Sequence, residues 1–516
     1  MRARVFVAAT ATLALAGVLA PVRASAASCE SLTSLTSLSG PKVAVTLAQT
    51  VAAGQFTPPP SGRAGAGRGG VNPFAQLPEF CRVAATLAPT SDSEIKIEVW
   101  LPAAGWNGKL QAVGNGAWAG TVSYPAMATA LAAGYGTVST DTGHAGGNAN
   151  FMVGHPEKLV DFEERAVHEM TVTAKAIAAA YYGSAPKVAY FNGCSTGGRQ
   201  ALTAAQRYPL DFDAIVAGAP ANFAKRQTFG QIWLWQATHK DEASMLTPEK
   251  YQVLHKAVMD ACDALDGVKD GVLENPTQCK FDPKVTLCKG PGNNDGPDCL
   301  TAPQVEAVRK IYAGASNPRT KEPIYPGLQP GSELGWGQSV AEQPVGYATD
   351  FFKYIVFKNE KWDPRQLNFD ADVALTEKTV TGLNAVDADL TKFIARGGKL
   401  LIYHGWSDPG IPPQNSVNYY QSVLATTPDK KAVHESVRAF MVPGMGHCGG
   451  GEGTSTFDMV AAVDRWVETK TTPTQIPASR VVDGKVVRTR PLCAYPQMAA
   501  YKGTGSTDDA SNFVCR

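Results

Sequence analysis

Short apolar runs alternate with helical periods in two separate stretches of this chain, and this alternation constrains the fold most. In the first stretch the predicted strands are 95–101, 109–113, 135–140, 187–191 and 213–217. The alternation returns with strands at 399–404 and 438–442 and ends with an amphipathic helix over 457–469. Such alternation is typical of a mostly parallel sheet that helices cover on both faces. The sequence therefore predicts an α/β fold whose sheet is built from two distant parts of the chain.

The clearest helix of the first stretch follows residue 160. Asp161 and Glu164 have the spacing of a capping box, and Gly183 is expected to end the helix. Apolar residues then recur at spacings of three and four on one face, namely Val167, Met170, Ala174, Ile177 and Tyr181. A second helix is predicted between the strand at 187–191 and Pro209.

The alternation is interrupted between about residues 221 and 390, a stretch that is rich in Trp, Pro, Asp and Cys. The economical interpretation is one sheet domain with a large inserted lid, since the segments on either side are each incomplete sheets. The predicted organisation is a signal peptide (1–26), an N-terminal segment with a Pro/Gly-rich loop (27–94), the first part of the core (95–220), the lid (221–390), and the second part of the core with a C-terminal tail (391–516).

The N-terminus has the pattern of an export signal. Arg2 and Arg4 precede an apolar run over 5–20, and Ala24-Ser25-Ala26 supplies the small residues of a cleavage site. The alternative is an uncleaved anchor, but the run is short for a membrane span of about 20 residues. The mature protein is therefore expected to be secreted or periplasmic, without a membrane segment.

Composition excludes several classes of protein. Of 516 residues, 44% are hydrophobic and 18% charged, which excludes a disordered chain. The formal net charge is only +1, so the sequence shows no electrostatic signature of a nucleic-acid-binding protein.

One pentapeptide has the pattern of a nucleophile elbow. Gly193-Cys194-Ser195-Thr196-Gly197 is a G-x-S-x-G motif between a predicted strand and a predicted helix. In an elbow the serine stands on a sharp turn at the carboxyl edge of the sheet, beside a helix N-terminus that favours developing negative charge. The motif alone is weak evidence, but its strand–turn–helix setting favours a nucleophilic serine.

The general base and its orienting acid are expected at later strand ends, in the order Ser, Asp, His. The strand at 399–404 leads into Asp408, and the strand at 438–442 leads into His447. We assign Asp408 as the orienting acid and His447 as the base. His404 is an alternative base, but it lies within a strand and before the acid, which favours an interior histidine.

The ten cysteines of this exported chain are expected to form disulfides. They are Cys29, Cys81, Cys194, Cys262, Cys279, Cys288, Cys299, Cys448, Cys493 and Cys515. Sequence does not fix the connectivity, although short spacings favour 262–279, 288–299 and 493–515. Cys194 precedes the predicted nucleophile and Cys448 follows the predicted base. If Ser195 and His447 are in hydrogen-bonding reach, these two cysteines are close enough for a disulfide.

The Cys194-Ser195, Asp408 and His447-Cys448 constellation resembles the tannase and feruloyl esterase family of secreted α/β-hydrolases. The resemblance extends over nearly the whole mature chain, including GCSTGGRQ, YHGWSDP, VPGMGHCGGG and RTRPLCAYPQ. It implies an α/β-hydrolase sheet sandwiched by helices with a large lid, and a disulfide that links the neighbours of the serine and the histidine. It also implies that Gly114 and Thr196 donate backbone N–H groups to the oxyanion. GNGAWAG, which contains Gly114, does not fit a dinucleotide-binding fingerprint, and no organic cofactor is expected.

An acidic loop in the predicted lid is a candidate calcium site. Three aspartates occur with tight glycines between Cys262 and Cys279. Such a loop suits an oxygen-liking cation, although the acids stand at positions 1, 4 and 8 and not in EF-hand spacing. On spacing alone, a solvated acidic turn is an equal alternative. The family resemblance implies a structural Ca²⁺ held by the side chains of Asp263, Asp266 and Asp270 and by the carbonyls of Val268 and Val272.

The resemblance implies a serine carboxylesterase that forms an acyl-enzyme. Esters of hydroxycinnamic acids of the feruloyl type are the first expected substrates, with a plant polymer or a polyphenol as the source. Galloyl esters are the second and terephthalate monoesters the third, because the terephthalate-cleaving branch has Glu where this chain has Thr196. Lid aromatics that are able to stack on such a ring are Phe223, Trp233, Trp235, Trp336, Phe351, Phe352 and Trp362, although most are expected in the lid core. The non-enzymatic alternative is a calcium-dependent binding protein on an inactive scaffold.

Overall fold

The computed structural model describes residues 27–35, 42–59, 72–289 and 296–516. The predicted signal peptide (1–26) and most of the Pro/Gly-rich loop lie outside these residues. The strands are β1 (Val43–Val51), β2 (Phe80–Leu87), β3 (Ile95–Pro102), β4 (Lys109–Val113), β5 (Gly136–Thr140), β6 (Val188–Cys194), β7 (Ala214–Gly218), β8 (Ala315–Ser316), β9 (Pro323–Tyr325), β10 (Lys399–Gly405), β11 (Val437–Val442), β12 (Gln475–Val482), β13 (Lys485–Cys493), β14 (Ala499–Tyr501) and β15 (Phe513–Cys515).

The α-helices are α1 (Tyr124–Ala132), α2 (Pro156–Val160), α3 (Ala166–Tyr182), α4 (Thr196–Arg207), α5 (Ala224–His239), α6 (Pro248–Cys262), α7 (Ala302–Ala313), α8 (Gly346–Asp350), α9 (Ala371–Thr379), α10 (Thr391–Ala395), α11 (Gln414–Thr426), α12 (Lys430–Ser436) and α13 (Met459–Thr469). Short 3₁₀ and π-helical turns connect several of them.

Nine strands form one central sheet in the order β1-β2-β3-β5-β4-β6-β7-β10-β11. The first three pairings, β1–β2, β2–β3 and β3–β5, are antiparallel. Every pairing from β5 to β11 is parallel. The carboxyl ends of β4, β6, β7, β10 and β11 therefore meet at one edge of the sheet.

The sheet extends further than the sequence indicates. Every predicted strand is present within one to three residues of its expected bounds, but β1 and β2 also belong to the sheet. Both come from the segment that was assigned to a region before the core. Strand β1 lies at the sheet edge, with mostly exposed or half-exposed residues, so its sequence lacks a buried strand's apolar run.

The helix after residue 160 begins earlier than its capping-box pattern predicts. Helix α2 starts at Pro156 and continues through a π-helical turn, Asp161–Arg165, into α3. The Asp161 carboxylate binds Arg165 one turn on, at 2.5 Å, and caps no helix. Pro156 supplies the start, since proline is favoured in the first turn of a helix. Gly183 ends α3 as predicted, at φ 71°.

Helices cover both faces of the sheet. On one face, apolar residues of α3, α4, α10, α11 and α12 pack on the strands in a single core. On the other face, α1 and α13 pack against the strands, with Leu131 and Trp466 fully buried. These layers are the α/β sandwich that the sequence predicts.

The chain between β7 and β10, residues 219–398, is hereafter the inserted segment. Its described residues add no strand to the central sheet. Helices α5, α6 and α7 share one core within it. A second core combines residues of the inserted segment with Trp118 and Phe162 from the sheet domain. The inserted segment is therefore packed onto the sheet domain beside the loop that follows β4.

Candidate active site

Ser195 lies at the carboxyl end of β6, in a sharp turn before α4. Its backbone has φ 64° and ψ −122°, a strained conformation for a residue other than glycine. The turn is possible because its glycines allow close contact: a Cβ on Gly193 would lie 2.6 Å from the carbonyl carbon of Gly197. The backbone N–H of Ser195 donates to the carbonyl of Gly218 on β7, which fixes the turn against the next strand. This geometry is that of a nucleophile elbow.

Asp408 and His447 lie together at the ends of β10 and β11. Nδ1 of His447 is 2.7 Å from Oδ2 of Asp408. The other carboxylate oxygen, Oδ1, accepts the backbone N–H groups of Gly410 and Ile411 at 2.8 and 3.0 Å. Because Nδ1 faces the acid, Nε2 of the half-buried imidazole is the nitrogen left for proton transfer.

Electrostatics keep Asp408 ionised and favour the charged form of His447. Asp408 is fully buried, and burial alone would raise its pKa, but the charge of His447 and hydrogen bonds from His404 and His447 hold the pKa well below its usual value. Burial also opposes the charge of His447, yet the charge and hydrogen bond of Asp408 outweigh burial and raise the pKa of His447. The acid therefore stabilises the imidazolium that forms when His447 accepts a proton.

His404 is an interior histidine with hydrogen-bond partners for both ring nitrogens. Nδ1 is 2.7 Å from Oγ of Ser416, and Nε2 is 2.9 Å from Oδ2 of Asp408. The side chain is fully buried within β10. His404 thus contacts the same carboxylate oxygen as His447, but its side chain is not accessible to a substrate.

All ten cysteines are paired in the structure. The five disulfides are Cys29–Cys81, Cys194–Cys448, Cys262–Cys279, Cys288–Cys299 and Cys493–Cys515. In the second of these the Cα atoms are 6.0 Å apart across 254 positions of sequence. Consecutive Cα atoms lie about 3.8 Å apart, so the Cα atoms of Ser195 and His447 are separated by at most about 14 Å. The disulfide thus holds the loops of Ser195 and His447 together.

Of the two expected oxyanion donors, only Thr196 has a free N–H. Thr196 is the first residue of α4, and its N–H has no acceptor among the described residues. The assignment of Gly114 is wrong, because its N–H continues the strand ladder and donates to the carbonyl of Asn192 at 3.0 Å. Gly114 is required for a different reason: a Cβ there would lie 2.6 Å from Cα of Gly197.

The next residues of the same loop have N–H groups without a backbone acceptor. In the described part of the chain, no backbone acceptor pairs with the amides of Gly116, Ala117 and Trp118. Gly116 and Ala117 are exposed, and the Thr196 hydroxyl donates to the carbonyl of Ala117 at 3.0 Å. The Thr196 side chain thus fixes the position of this loop beside the elbow. Sequence spacing does not reveal which amide of a glycine-rich loop remains free.

A histidine of the inserted segment contacts the loop that follows His447. His255 on α6 lies 2.8 Å from Glu333 through Nδ1 and 3.1 Å from Glu452 through Nε2. Burial opposes its charge, but the two carboxylates outweigh burial and raise the pKa of His255 to about 9. This ion-pair bridge joins the inserted segment to the His447 loop.

The acidic loop of the inserted segment is partly buried. Asp263 accepts the backbone N–H groups of Asp270 and Gly271, and Asp266 accepts that of Val268 at 2.9 Å. Asp270 forms an ion pair with Arg490 of β13. Within the described ranges, no three His, Cys, Asp or Glu side chains are arranged to hold a metal ion.

The same loop nevertheless lines a small pocket together with Arg488 and Arg490 of β13. Its lining includes Asp266, Val268, Asp270, Val272 and Glu274. Four of these five are predicted calcium ligands, whereas the carboxylate of Asp263 is bonded to the backbone. Sequence analysis missed Glu274, which is the twelfth residue counted from Asp263, where an EF-hand has its bidentate glutamate. Burial raises the pKa of Glu274 to about 7.

The parallel sheet between helix layers, the elbow and the acid–histidine pair at the next strand ends together define an α/β-hydrolase. A family model described as tannase and feruloyl esterase matches residues 81–516. The chain therefore belongs to the tannase and feruloyl esterase family, and it is a carboxylic ester hydrolase.

Curated relatives match over most of their length. An uncharacterized esterase of Xanthomonas campestris is 39% identical over 98% of this chain and 94% of its own. A probable feruloyl esterase B-1 of Aspergillus flavus is 34% identical, with 85% of this chain and 86% of its own covered.

Solved structures agree with the fold. Feruloyl esterase B from Aspergillus oryzae superposes with a TM-score of 0.85 at 30% identity, covering 95% of this chain and 99% of that one. Tannin acyl hydrolase from Aspergillus niger superposes with a TM-score of 0.75 at 22% identity, over 92% of this chain and 91% of that one, a likeness of fold. Among the described helices, none has both the length and the apolar character that a membrane crossing requires.

Proposed function

We propose that the protein is a serine carboxylesterase that hydrolyses esters of aromatic acids, with feruloyl-type hydroxycinnamoyl esters first among them. One observation carries the proposal: Ser195, Asp408 and His447 follow three strands in the parallel part of one sheet, and a disulfide joins the neighbours of the serine and the histidine. The hydroxycinnamoyl preference is supported by the relatives named feruloyl esterases.

The proposed mechanism is acyl transfer in two halves. Nε2 of His447 takes the proton of the Ser195 hydroxyl while Oγ attacks the ester carbonyl carbon. The resulting oxyanion accepts the N–H of Thr196 and an N–H of the loop 116–118. The imidazolium then gives its proton to the leaving alkoxide, and the acyl group stays on Ser195. Water, deprotonated by His447, attacks this acyl-enzyme and releases the acid.

We assign the inserted segment the role of a lid that carries specificity. It packs on the loop after β4 through Trp118, and on the His447 loop through His255. Of the seven aromatic residues that sequence alone offers for stacking, five are buried: Trp235, Trp336, Phe351, Phe352 and Trp362. Phe223 and Trp233 are only partly buried.

A panel of three esters tests the substrate assignment. We expect kcat/KM for methyl ferulate to exceed that for methyl gallate and for mono(2-hydroxyethyl) terephthalate by at least about tenfold. Contacts between a substrate pocket and the acyl group commonly change kcat/KM by this factor between similar substrates. Steady-state kinetics with purified protein measures all three values. Equal values, or a higher value for the gallate or the terephthalate, contradict the feruloyl preference. No turnover of any ester contradicts the enzyme and favours a binding protein.

We propose export from the cytoplasm as the cellular context. The structure has five disulfides, which form and persist in oxidising compartments and are rare in the cytosol. The N-terminal pattern of Arg2, Arg4 and the apolar run over 5–20 supports the same conclusion from the sequence. The source of the ester in that setting is a plant polymer or a polyphenol.

We also propose that the acidic loop binds a structural Ca²⁺. The residue types support the proposal, since Asp266, Asp270 and Glu274 line one pocket with Val268 and Val272, and carboxylate and carbonyl oxygens are the ligands that Ca²⁺ prefers. To bind the ion, the carboxylate of Asp263 would release the backbone N–H groups that it accepts in the structure. The carboxylate of Asp270 would release Arg490. Bound there, the ion would neutralise buried carboxylates of the loop in place of Arg490, which pairs with Asp270 in the structure.

Removal of calcium is expected to lower thermal stability. With Ca²⁺ at about 100 times its Kd, binding stabilises by about 2.7 kcal/mol, which corresponds to a Tm difference of about 3 °C for a chain of this size. Differential scanning fluorimetry with EGTA, then with added Ca²⁺ or Mg²⁺, measures this shift. Asp266→Asn should abolish it, whereas Asp260→Asn, a surface change just before the loop, should not. An unchanged Tm in EGTA contradicts the site.

A further inference from the structure

The loop that carries His447 consists mostly of glycine. Six of its ten residues, 444–453, are glycines. Three of them, Gly444, Gly450 and Gly451, have φ of 65°, 68° and 84°. Glycine has more backbone freedom than any other residue, so a loop of this composition takes its fixed shape from the contacts that tether it. The position of the His447 imidazole therefore depends on those tethers.

Besides His447 itself, two side chains of this loop tie it to other parts of the molecule. Cys448 is bonded to Cys194 beside the elbow. The carboxylate of Glu452 lies 3.1 Å from Nε2 of His255 on α6. The backbone N–H of Glu452 also donates to the carbonyl of Gly444 at 2.9 Å, which closes the loop at its base. A displacement of Glu452 is thus passed on to the loop that holds His447.

His255 is itself fixed by a buried carboxylate of the inserted segment. Its Nδ1 lies 2.8 Å from Oε2 of Glu333, whose side chain is fully buried. The other oxygen of Glu333, Oε1, accepts the hydroxyl of Tyr312 at 2.7 Å and the N–H of Gly331 at 2.8 Å. The imidazole of His255 therefore has a defined place, from which Nε2 reaches Glu452.

The turn that begins with Glu333 also contacts the loop of Asp408. This 3₁₀ turn is Glu333–Gln338. A Cβ on Gly335 would lie 2.8 Å from Cγ of Pro409, the residue after Asp408. Ser339, which follows the turn, donates its hydroxyl to the carbonyl of Pro409. One turn of the inserted segment thus supports the loop of the acid directly and the loop of the base through His255.

We propose that His255 is a positioning residue for the general base, because it holds the His447 loop to the inserted segment through Glu452. The proposal rests on the proposed function, in which His447 is the base. A charged imidazole donates from both ring nitrogens, whereas a neutral one donates from only one. The complete bridge from Glu333 to Glu452 therefore requires a charged His255.

Loss of the proton from His255 releases one of its two partners. Glu333 keeps the remaining N–H, because a fully buried carboxylate has no water to replace it. Glu452 exposes 45% of its side chain, so water solvates it after release. The His447 loop then loses its tether to the inserted segment while the Cys194–Cys448 bond remains.

The charges around His255 place this release on the alkaline side of neutrality. Glu333 and Glu452 face its two nitrogens, Tyr312 of α7 donates to Glu333, and the charge of Arg480 of β12 acts on Glu452. Burial opposes the charge of His255, but the two carboxylates outweigh burial and raise its pKa from 6.5 to about 9. A raised pKa means that the bridge is complete below pH 6.5 and is lost as the pH rises through about 9. We therefore expect kcat of the unmodified enzyme to decline through this range.

Glu452→Ala tests the positioning role without leaving a buried charge unpaired, because the His255–Glu333 pair stays intact. We expect kcat for methyl ferulate at neutral pH to fall by about 10- to 100-fold with KM changed by less than about twofold. The reason is that the base is misplaced while the acyl group keeps its contacts. Steady-state kinetics, corrected for spontaneous hydrolysis, measures both constants, and thermal unfolding verifies that the variant is folded.

Glu452→Gln separates positioning from a merely structural contact. An amide accepts from a charged imidazole through its oxygen and donates to a neutral one through its NH₂ group, so it bridges to His255 in either state. This variant should keep kcat within about threefold of normal at neutral pH and should lose the decline through pH 9. A contact that only supports the fold gives no such change in the pH profile.

The matched control is Glu435→Ala, which removes an exposed carboxylate that pairs with Lys431 just before β11. It should change neither kcat nor the pH profile. An unchanged kcat in Glu452→Ala, or a decline through pH 9 that persists in Glu452→Gln, overturns the role of His255. His447→Ala tests the proposed function separately, because normal activity in that variant refutes His447 as the base. If methyl ferulate is not cleaved, 4-nitrophenyl acetate serves for the same comparisons.

Discussion

Ser195→Ala is expected to lower kcat for ester hydrolysis by about 10⁶-fold, the loss seen when the nucleophile of a serine hydrolase is removed. The hydroxyl oxygen is the atom that bonds to the acyl carbon, and no other group at the elbow replaces it. Residual turnover from the free amides of Thr196 and the 116–118 loop should remain far below that of the unmodified enzyme. Single-turnover and steady-state assays with one aromatic ester measure the loss.

The control for this substitution is Ser184→Ala, which removes an exposed hydroxyl after α3. It should leave kcat unchanged. The Ser195→Ala protein should keep the Tm and the substrate affinity of the unmodified chain, because the hydroxyl makes no described hydrogen bond that the fold requires. A Ser195→Ala variant that retains more than about 1% of the activity would exclude Ser195 as the nucleophile.

Asp408→Asn is expected to lower kcat by about 10⁴-fold without unfolding the protein. The amide oxygen continues to accept the N–H groups of Gly410 and Ile411, so the NH₂ group faces Nδ1 of His447. His447 then holds its proton on Nε2, which is the wrong tautomer for a base that must accept the serine proton.

The pH profile separates this effect from a simple loss of stability. In the unmodified enzyme the charge of Asp408 raises the pKa of His447. Removal of the charge lowers that pKa, so the acid limb of kcat/KM should move to lower pH as the maximum falls. Asp429→Asn, at the start of α12, is the matched control. It should change neither the maximum of kcat/KM nor the pH of its acid limb. An Asp408→Asn variant with more than a tenth of normal kcat would contradict the role of Asp408.

The sequence alone is sufficient to predict the framework of the site. The parallel strands are apolar runs that end at Ser195, Asp408 and His447, so strand prediction also places these residues at one sheet edge. The reason is geometric, because parallel strands bring their carboxyl ends together. The Cys194–Cys448 pairing follows from the same placement and is present in the structure.

What the sequence does not reveal depends on individual atoms. Gly114 was expected to donate its N–H to the oxyanion, but this N–H instead donates to Asn192 in the hydrogen-bond ladder between β4 and β6. Only the register of these two strands shows this. Strand β1 was missed because an edge strand has little apolar pattern.

The bond between Cys194 and Cys448 also closes a covalent ring that contains α4, the inserted segment, β10 and β11. A protease that cuts once inside this ring linearises it but releases nothing, since both fragments stay joined through sulfur within a residue of Ser195 and His447. Two scissions are needed to free a piece of the inserted segment. After a first cut inside the ring, the enzyme thus keeps Ser195 and His447 covalently joined.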